Sequence, residues 1–368
     1  MAVWDCANQW LKDLVSYDPG KPIEETAREL GLDPGEIIKL ASNENPLGPS
    51  PKALEAMAEA LNGVHIYPDG GGYRLRSAIA ERFDLQIENV ILGNGSSEII
   101  EFVGHAFLTP GDEIIVADHA FVVYKIMATL FGANTVEVRD PGFVHDLEAM
   151  ADVVTPRTKC IFVANPNNPT GTLVDQDAID RFMDRVPGHV IVVFDEAYYE
   201  FLEEPPDTLK YVHERRNVIV VRTFSKIQGL AALRIGYGLG PKELIDVLQK
   251  TRQPFNANSV ALAGALAGLA DEEHQEKTKA VTDEGRAVIE SAFGEMGLEY
   301  VPSYANFVLV KVGDGDAMFQ RMLARGVIVR AMRGYKLPEW IRVTVGTPEQ
   351  NARFLEVLQE ELSGLREH

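Results

Sequence analysis

An α/β fold on a mostly parallel sheet is predicted by three observations. Short runs rich in Val and Ile recur along the chain, helix-like segments lie between several of them, and turn formers gather where the runs end. Strands that alternate with helices build a parallel sheet covered on both faces, whose ligands sit beyond the carboxyl ends of the strands. With 368 residues, 46% of them hydrophobic and 24% charged, the chain can bury a large core and divide into two domains.

The strand-like runs fall at residues 90–92, 113–116, 135–138, 160–164, 190–194, 218–222 and 236–239. Helices are expected at 98–107 and 175–185. The apolar stretch 261–270 stops at Asp271-Glu272-Glu273 after ten residues, short of the roughly 20 that span a bilayer, and reads as a buried helix.

The charge balance narrows the partners. Lys and Arg number 35 against 55 Asp and Glu, a formal net charge of −20. Such a surface repels nucleic acid and anionic lipid, so an anionic substrate must be caught by local arginines. Cys6 and Cys160 give no disulfide framework, and Met1-Ala2-Val3-Trp4-Asp5 lacks the basic and apolar regions of a secretory signal, so a cytoplasmic protein is expected. Eight scattered histidines, without a His-Glu-x-x-His or Cys/His cluster, lead us to expect no metal site.

Chemistry gathers at the strand ends. Asp195 closes the run 190–194; alone it is an ordinary strand-end cap, but with Glu196 it makes two adjacent carboxylates near a core, and both need partners. Thr223-Phe224-Ser225-Lys226 closes the run 218–222, and Arg234 follows. A lysine there is usually solvated, but a buried one beside cations has a lowered pKa and can act as a nucleophile. Gly93-Asn94-Gly95-Ser96-Ser97-Glu98 reads either as a plain turn with a serine helix cap or as a cradle for phosphate at a helix amino terminus. As a dinucleotide fingerprint it lacks its third glycine. Together a lysine amine, a carboxylate for a ring nitrogen, short hydroxyls and an arginine are what a pyridoxal phosphate (PLP) site needs.

Asn165-Pro166-Asn167-Asn168-Pro169-Thr170-Gly171 resembles the signature loop of class I/II aminotransferases. Further segments extend the likeness over nearly the whole chain: 39–48, Tyr67-Pro68-Asp69, Gly95-Ser96-Ser97-Glu98, Asp195-Glu196-Ala197-Tyr198, Thr223 to Arg234, and Ile341-Arg342-Val343-Thr344-Val345-Gly346-Thr347. Within the fold-type I PLP-dependent transferases, the chain resembles the histidinol-phosphate aminotransferases.

That resemblance implies a large PLP-binding domain over 45–255 and a smaller α/β domain over 256–368, which the segment 1–44 joins. It implies PLP as cofactor, held through Lys226, the nucleophile and general base, with Asp195 at the ring nitrogen. Asn168 and Tyr198 would meet the ring hydroxyl and Phe121 the ring face. Gly95, Ser96, Ser97, Thr223, Ser225 and Arg234 would hold the phosphate, with Tyr67 supplied by the other subunit of a homodimer. Arg342 would take a substrate carboxylate, Arg330 a distal phosphate, and Asn45 would join them. The implied reaction moves the amino group of histidinol phosphate to 2-oxoglutarate. An aromatic amino acid aminotransferase and a threonine-phosphate decarboxylase are the alternatives. Asp118-His119-Ala120-Phe121 lacks the family's usual proline before the stacking aromatic, and Ala231-Ala232-Leu233 replaces Ala-Gly-Leu.

Overall fold

Each Val- and Ile-rich run becomes a strand because β-branched side chains fill a pleated surface buried on both sides. In a computed structural model, which describes residues 3–14, 23–31 and 33–366, a short β1 (Ile38–Lys39) precedes the seven strands of the main sheet. These are β2 (Val90–Gly93), β3 (Glu113–Ala117), β4 (Asn134–Val138), β5 (Thr158–Ala164), β6 (Ile191–Asp195), β7 (Val218–Thr223) and β8 (Gly236–Leu239). Met1 and Ala2, read above for a signal, lie outside the described residues, as do 15–22 and 32 of the segment 1–44.

The strand order is β2-β8-β7-β6-β5-β3-β4. Pairs among β3 to β7 are parallel, while β8 runs antiparallel to both β7 and β2. Alternate residues feed opposite cores: Val192 and Phe194 of β6 enter one, Ile191 and Val193 the other. The helix Ser259–Leu269, foreseen as a buried segment, packs on Pro51–Ala60 and adds Ala261, Ala265 and Leu269 to the first core.

Nearer the carboxyl terminus come β9 (Tyr300–Val301), β10 (Phe307–Lys311), β11 (Val327–Ile328), β12 (Arg330–Ala331) and β13 (Trp340–Thr344). β12, β13, β10 and β9 form a second, antiparallel sheet, and β1 pairs in parallel with β11. The two helices foreseen in the main-sheet region run Ser96–Phe107 and Gln176–Arg185. The first begins two residues before its expected start because Gly95, at φ 83°, makes the turn into it.

Glu196 finds the partner that its burial demands. Arg222 of β7 donates to its Oε2 from Nε at 2.9 Å and from Nη2 at 2.8 Å, Thr208 donates to Oε1, and the guanidinium lies over the Tyr199 ring at 3.5 Å. Both side chains are almost fully buried, 2% and 4% exposed, so removing one strands the other's charge. Glu196→Leu should therefore cost about 3–5 kcal/mol in urea unfolding, and the double change Glu196→Leu with Arg222→Met should recover most of it. A single change costing less than about 1 kcal/mol would contradict this reading.

Candidate active site

The carboxyl ends of β5, β6 and β7 open onto one cavity of about 360 Å³, placed as the strand-end rule requires. Its wall includes Ser96, Ser97, Phe121, Asn168, Asp195, Tyr198, Thr223, Ser225, Lys226, Arg234, Arg330 and Arg342. Twelve residues singled out from the sequence thus come together, though they span more than 240 positions of chain.

Lys226 follows β7 by three residues, and its amine enters the cavity near the backbone oxygens of Ser42, at 3.3 Å, and Asn43, at 3.2 Å. Burial, helped by the nearby cation of Arg342, lowers its pKa to about 8. Asp195, the last residue of β6, is 5% exposed and accepts from the Tyr124 hydroxyl at 2.7 Å and the Ala197 amide at 3.3 Å. Burial raises its pKa to about 6, against those two hydrogen bonds. The amine and the carboxylate line one cavity, and among the described residues neither makes a direct ion pair.

Tyr198 lies beyond Asp195 on the turn after β6, and its hydroxyl accepts from Asn43 at 2.8 Å. Burial pushes its pKa up to about 12, so it remains a phenol. Asn168 lies in the loop after β5, whose bonds Asn165-Pro166 and Asn168-Pro169 are cis. Its side-chain oxygen accepts from Arg342, which also donates to the Ala41 carbonyl at 2.9 Å.

The turn into Ser96–Phe107 bears on the choice left open by the sequence. No side chain caps this helix, so neither serine is spent on the first-turn amides. A Cβ on Gly95 would lie 2.3 Å from Arg234 Nη2, and one on Gly236 of the antiparallel β8 would lie 2.5 Å from the Ser96 amide. Two glycines therefore let backbone amides and an arginine converge on one spot. Arg234 donates to Ser225 Oγ at 3.3 Å, and Thr223 Oγ1 lies 3.0 Å from the same hydroxyl. This donor set fits a phosphate, and with Lys226 and Asp195 across the cavity it fits PLP.

Two sequence candidates lie elsewhere. Asn45 is turned away from the cavity wall, donating to the Ile227 carbonyl at 2.8 Å and to Thr278 Oγ1 at 3.3 Å. Tyr67 is 79% exposed and stacks on Phe255 with ring centroids 4.8 Å apart. Sequence reasoning missed Tyr124 and Tyr335, and it gave no role to Lys39, Asn43 and Glu44 of the segment 39–48, although all five are on the wall. Tyr124 could have been found: it follows Phe121 by three residues at the start of the helix Val122–Leu130, where that spacing gives a shared face. Asp118, His119 and Asp140 form the one cluster of metal-type ligands among the described residues; His119 Nδ1 lies 2.8 Å from Asp140, and Lys336 donates to Asp118 at 2.7 Å.

Known proteins with the same pattern identify the family. The family model described as "Aminotransferase class I and II" matches residues 35–358. A histidinol-phosphate aminotransferase of Akkermansia muciniphila is 57% identical, with 98% of this chain and all of that protein covered. Histidinol-phosphate aminotransferase 2 of Pseudomonas fluorescens is 48% identical, with 97% of each covered. In fold, the histidinol-phosphate aminotransferase of Sinorhizobium meliloti, solved in complex with pyridoxal-5'-phosphate, matches with a TM-score of 0.88 at 24% identity over 97% of each chain. The α/β architecture with its mostly parallel sheet, the antiparallel second sheet and a family match spanning most of the chain agree, and the chain belongs to the class I and II aminotransferases, fold type I.

Proposed function

We propose that this aminotransferase uses PLP to move the amino group of L-histidinol phosphate to 2-oxoglutarate, giving imidazole acetol phosphate and L-glutamate. The observation that carries the reading is the 57% identity to a histidinol-phosphate aminotransferase over 98% of the chain. PLP, when bound, supplies an aldehyde that captures the amino group and a ring that accepts electron density from the substrate's α-carbon.

The residues divide the work. Lys226 holds the cofactor and, once released, moves a proton at the α-carbon; an amine titrating near 8 exchanges protons readily at neutral pH. Asp195 holds the proton of the ring nitrogen, Asn168 and Tyr198 meet the ring hydroxyl, and Phe121 covers the ring. Gly95, Ser96, Ser97, Thr223, Ser225 and Arg234 take the phosphate. The substrate lies between the large domain, about 45–255 with the helix Ser259–Leu269 added by its packing, and the small domain that follows; of the segment expected to join the latter, Ile38 and Lys39 do so through β1, whereas Trp10 donates to Leu130 of the large domain at 3.0 Å.

Arg330 and Arg342 support the choice of substrate. They sit directly opposite each other on β12 and β13, and both reach the cavity wall. Two guanidinium groups so placed can clasp one anion from two sides. Histidinol phosphate carries a phosphate ester where glutamate carries its α-carboxylate, so the arginine pair can receive either substrate in turn.

A homodimer completes the reading. Leu61, Val64, Ile66, Tyr67, Tyr73 and Phe255 are all at least 46% exposed and lie in neighbouring segments, an apolar face that a second copy would cover. Tyr67 is not on the wall of its own cavity and is largely exposed, which suits a residue that reaches the neighbouring subunit's phosphate cradle.

Burial holds the Lys226 amine's pKa down, so its acetylation rate, read by peptide mass spectrometry in cofactor-free protein, should rise with pH to about 8 and then level off. Arg342→Met removes a cation that favours the neutral amine and should move the levelling point upward; an unmodified profile levelling only above about 10 would refute the assignment. Supplied with PLP, the protein should turn yellow, and borohydride should fix the label to Lys226. Arg330→Ala should raise KM for histidinol phosphate by roughly 10- to 100-fold, the loss of one charged phosphate contact. Faster turnover of phenylalanine than of histidinol phosphate would instead select the aromatic alternative. Sedimentation should report a dimer, and Ile66→Asp should yield monomers that hold PLP less tightly.

A further inference from the structure

We propose that Tyr124 is the positioning residue for Asp195: its buried hydroxyl fixes the carboxylate's rotamer and leaves the remaining lone pairs facing the cavity, where a pyridine nitrogen would be held. The inference rests on the PLP reading above and adds to it a residue that the sequence left without a role.

Three contacts carry it. Tyr124 is fully buried and donates to Asp195 Oδ2 at 2.7 Å, a short bond to a charged acceptor across 71 positions of chain. Its ring cannot swing away, because it stacks on Phe162 of β5 at 4.6 Å and 15° and meets Phe121 edge-on at 5.7 Å. Among the described residues, the other donor to the Asp195 carboxylate is the Ala197 amide, at 3.3 Å on Oδ1, so the phenol is the stronger restraint. Tyr124 thus joins the residue expected on the ring face to the residue expected at the ring nitrogen.

The direction of its electrostatic effect follows. Burial makes Asp195 harder to ionise, and the Tyr124 hydrogen bond is the largest influence opposing that. Burial and the facing carboxylate push the phenol's own pKa well above its usual value, so it stays a donor at every working pH. Glu196, Lys226, Tyr198 and Tyr335 also act on this pair, but Glu196 is tied to Arg222 and the Lys226 amine to backbone oxygens. Without the phenol, Asp195 should draw the ring-nitrogen proton toward itself.

The test compares unmodified protein, Tyr124→Phe and Tyr124→3-fluorotyrosine, each loaded with PLP labelled with ¹⁵N in the ring. Tyr124→Phe is expected to move the ¹⁵N shift toward that of an unprotonated pyridine, raise the acid midpoint of its titration by roughly one unit, and weaken PLP binding roughly tenfold. The fluorinated phenol is a stronger donor and should move the acid midpoint the other way. If Tyr124→Phe fails to fold, the fluorinated variant decides alone: a lowered midpoint supports the assignment and an unchanged one overturns it. A folded Tyr124→Phe with unaltered shift and midpoint also overturns it, as do two variants that move together. Unmodified protein that takes up no labelled PLP at Lys226 would remove the cofactor reading itself, and this inference with it.

Discussion

A buried amine and a buried carboxylate face the same cavity and are kept from joining. Lys226 and Asp195 sit at the ends of neighbouring strands, and an ion pair between them would relieve much of the cost of burying both. The protein instead gives the amine two backbone oxygens at 3.2 and 3.3 Å, and gives the carboxylate a phenol and an amide. Each is pushed toward its neutral form, the lysine down to about 8 and the aspartate up to about 6. A third group with an electrophilic carbon at one end and a basic nitrogen at the other, as in the proposed cofactor, would satisfy both.

The sheet makes this separation possible. Parallel strands deliver Asp195 and Thr223 to one edge at fixed lateral spacing, and the antiparallel β8 returns beside β7 to bring Gly236 against the Ser96 amide. Ionic groups that leave this edge on the far side must be neutralised there, as Glu196 and Arg222 are, beneath rings of Tyr199 and Phe83. Adjacent residues therefore have opposite fates: Asp195 is left unpaired toward the cavity, while Glu196 is closed off behind it. A strand period of two places consecutive carboxylates on opposite faces.

Much of this was legible in the sequence, for a local reason. Strand runs announce themselves by β-branched density, and residues at their ends fall beside one another in any doubly covered parallel sheet, so Asp195, Thr223, Lys226 and the loop after β5 could be placed together before any contact was known. The helix Ser96–Phe107 was foreseen, but not the close approach of Arg234 to Gly95 and of Gly236 to the Ser96 amide, since those residues arrive from 138 or more positions away. Tyr124 was missed and Asn43 given no role for the same reason: the first looks like one more apolar helix residue, and the second is made useful by Tyr198, 155 positions on. Asn45 shows the converse, because its amide is taken by Ile227 and Thr278, a choice only the packed tertiary structure makes.

Charge ties the local site to the whole molecule. A net charge of −20 repels an anionic substrate at a distance. The cavity wall reverses that sign: Lys39, Lys226, Arg234, Arg330 and Arg342 stand against Glu44 and Asp195, five positive groups against two negative. Lys39 and Glu44 neutralise each other at 2.9 Å, leaving four cations against one anion deeper inside. With a screening length of about 10 Å at 0.1 M salt, an approaching phosphate feels little of the outer charge once it reaches the mouth. Selection therefore falls to the geometry of the arginines, and a surface this acidic can coexist with a site built for anions.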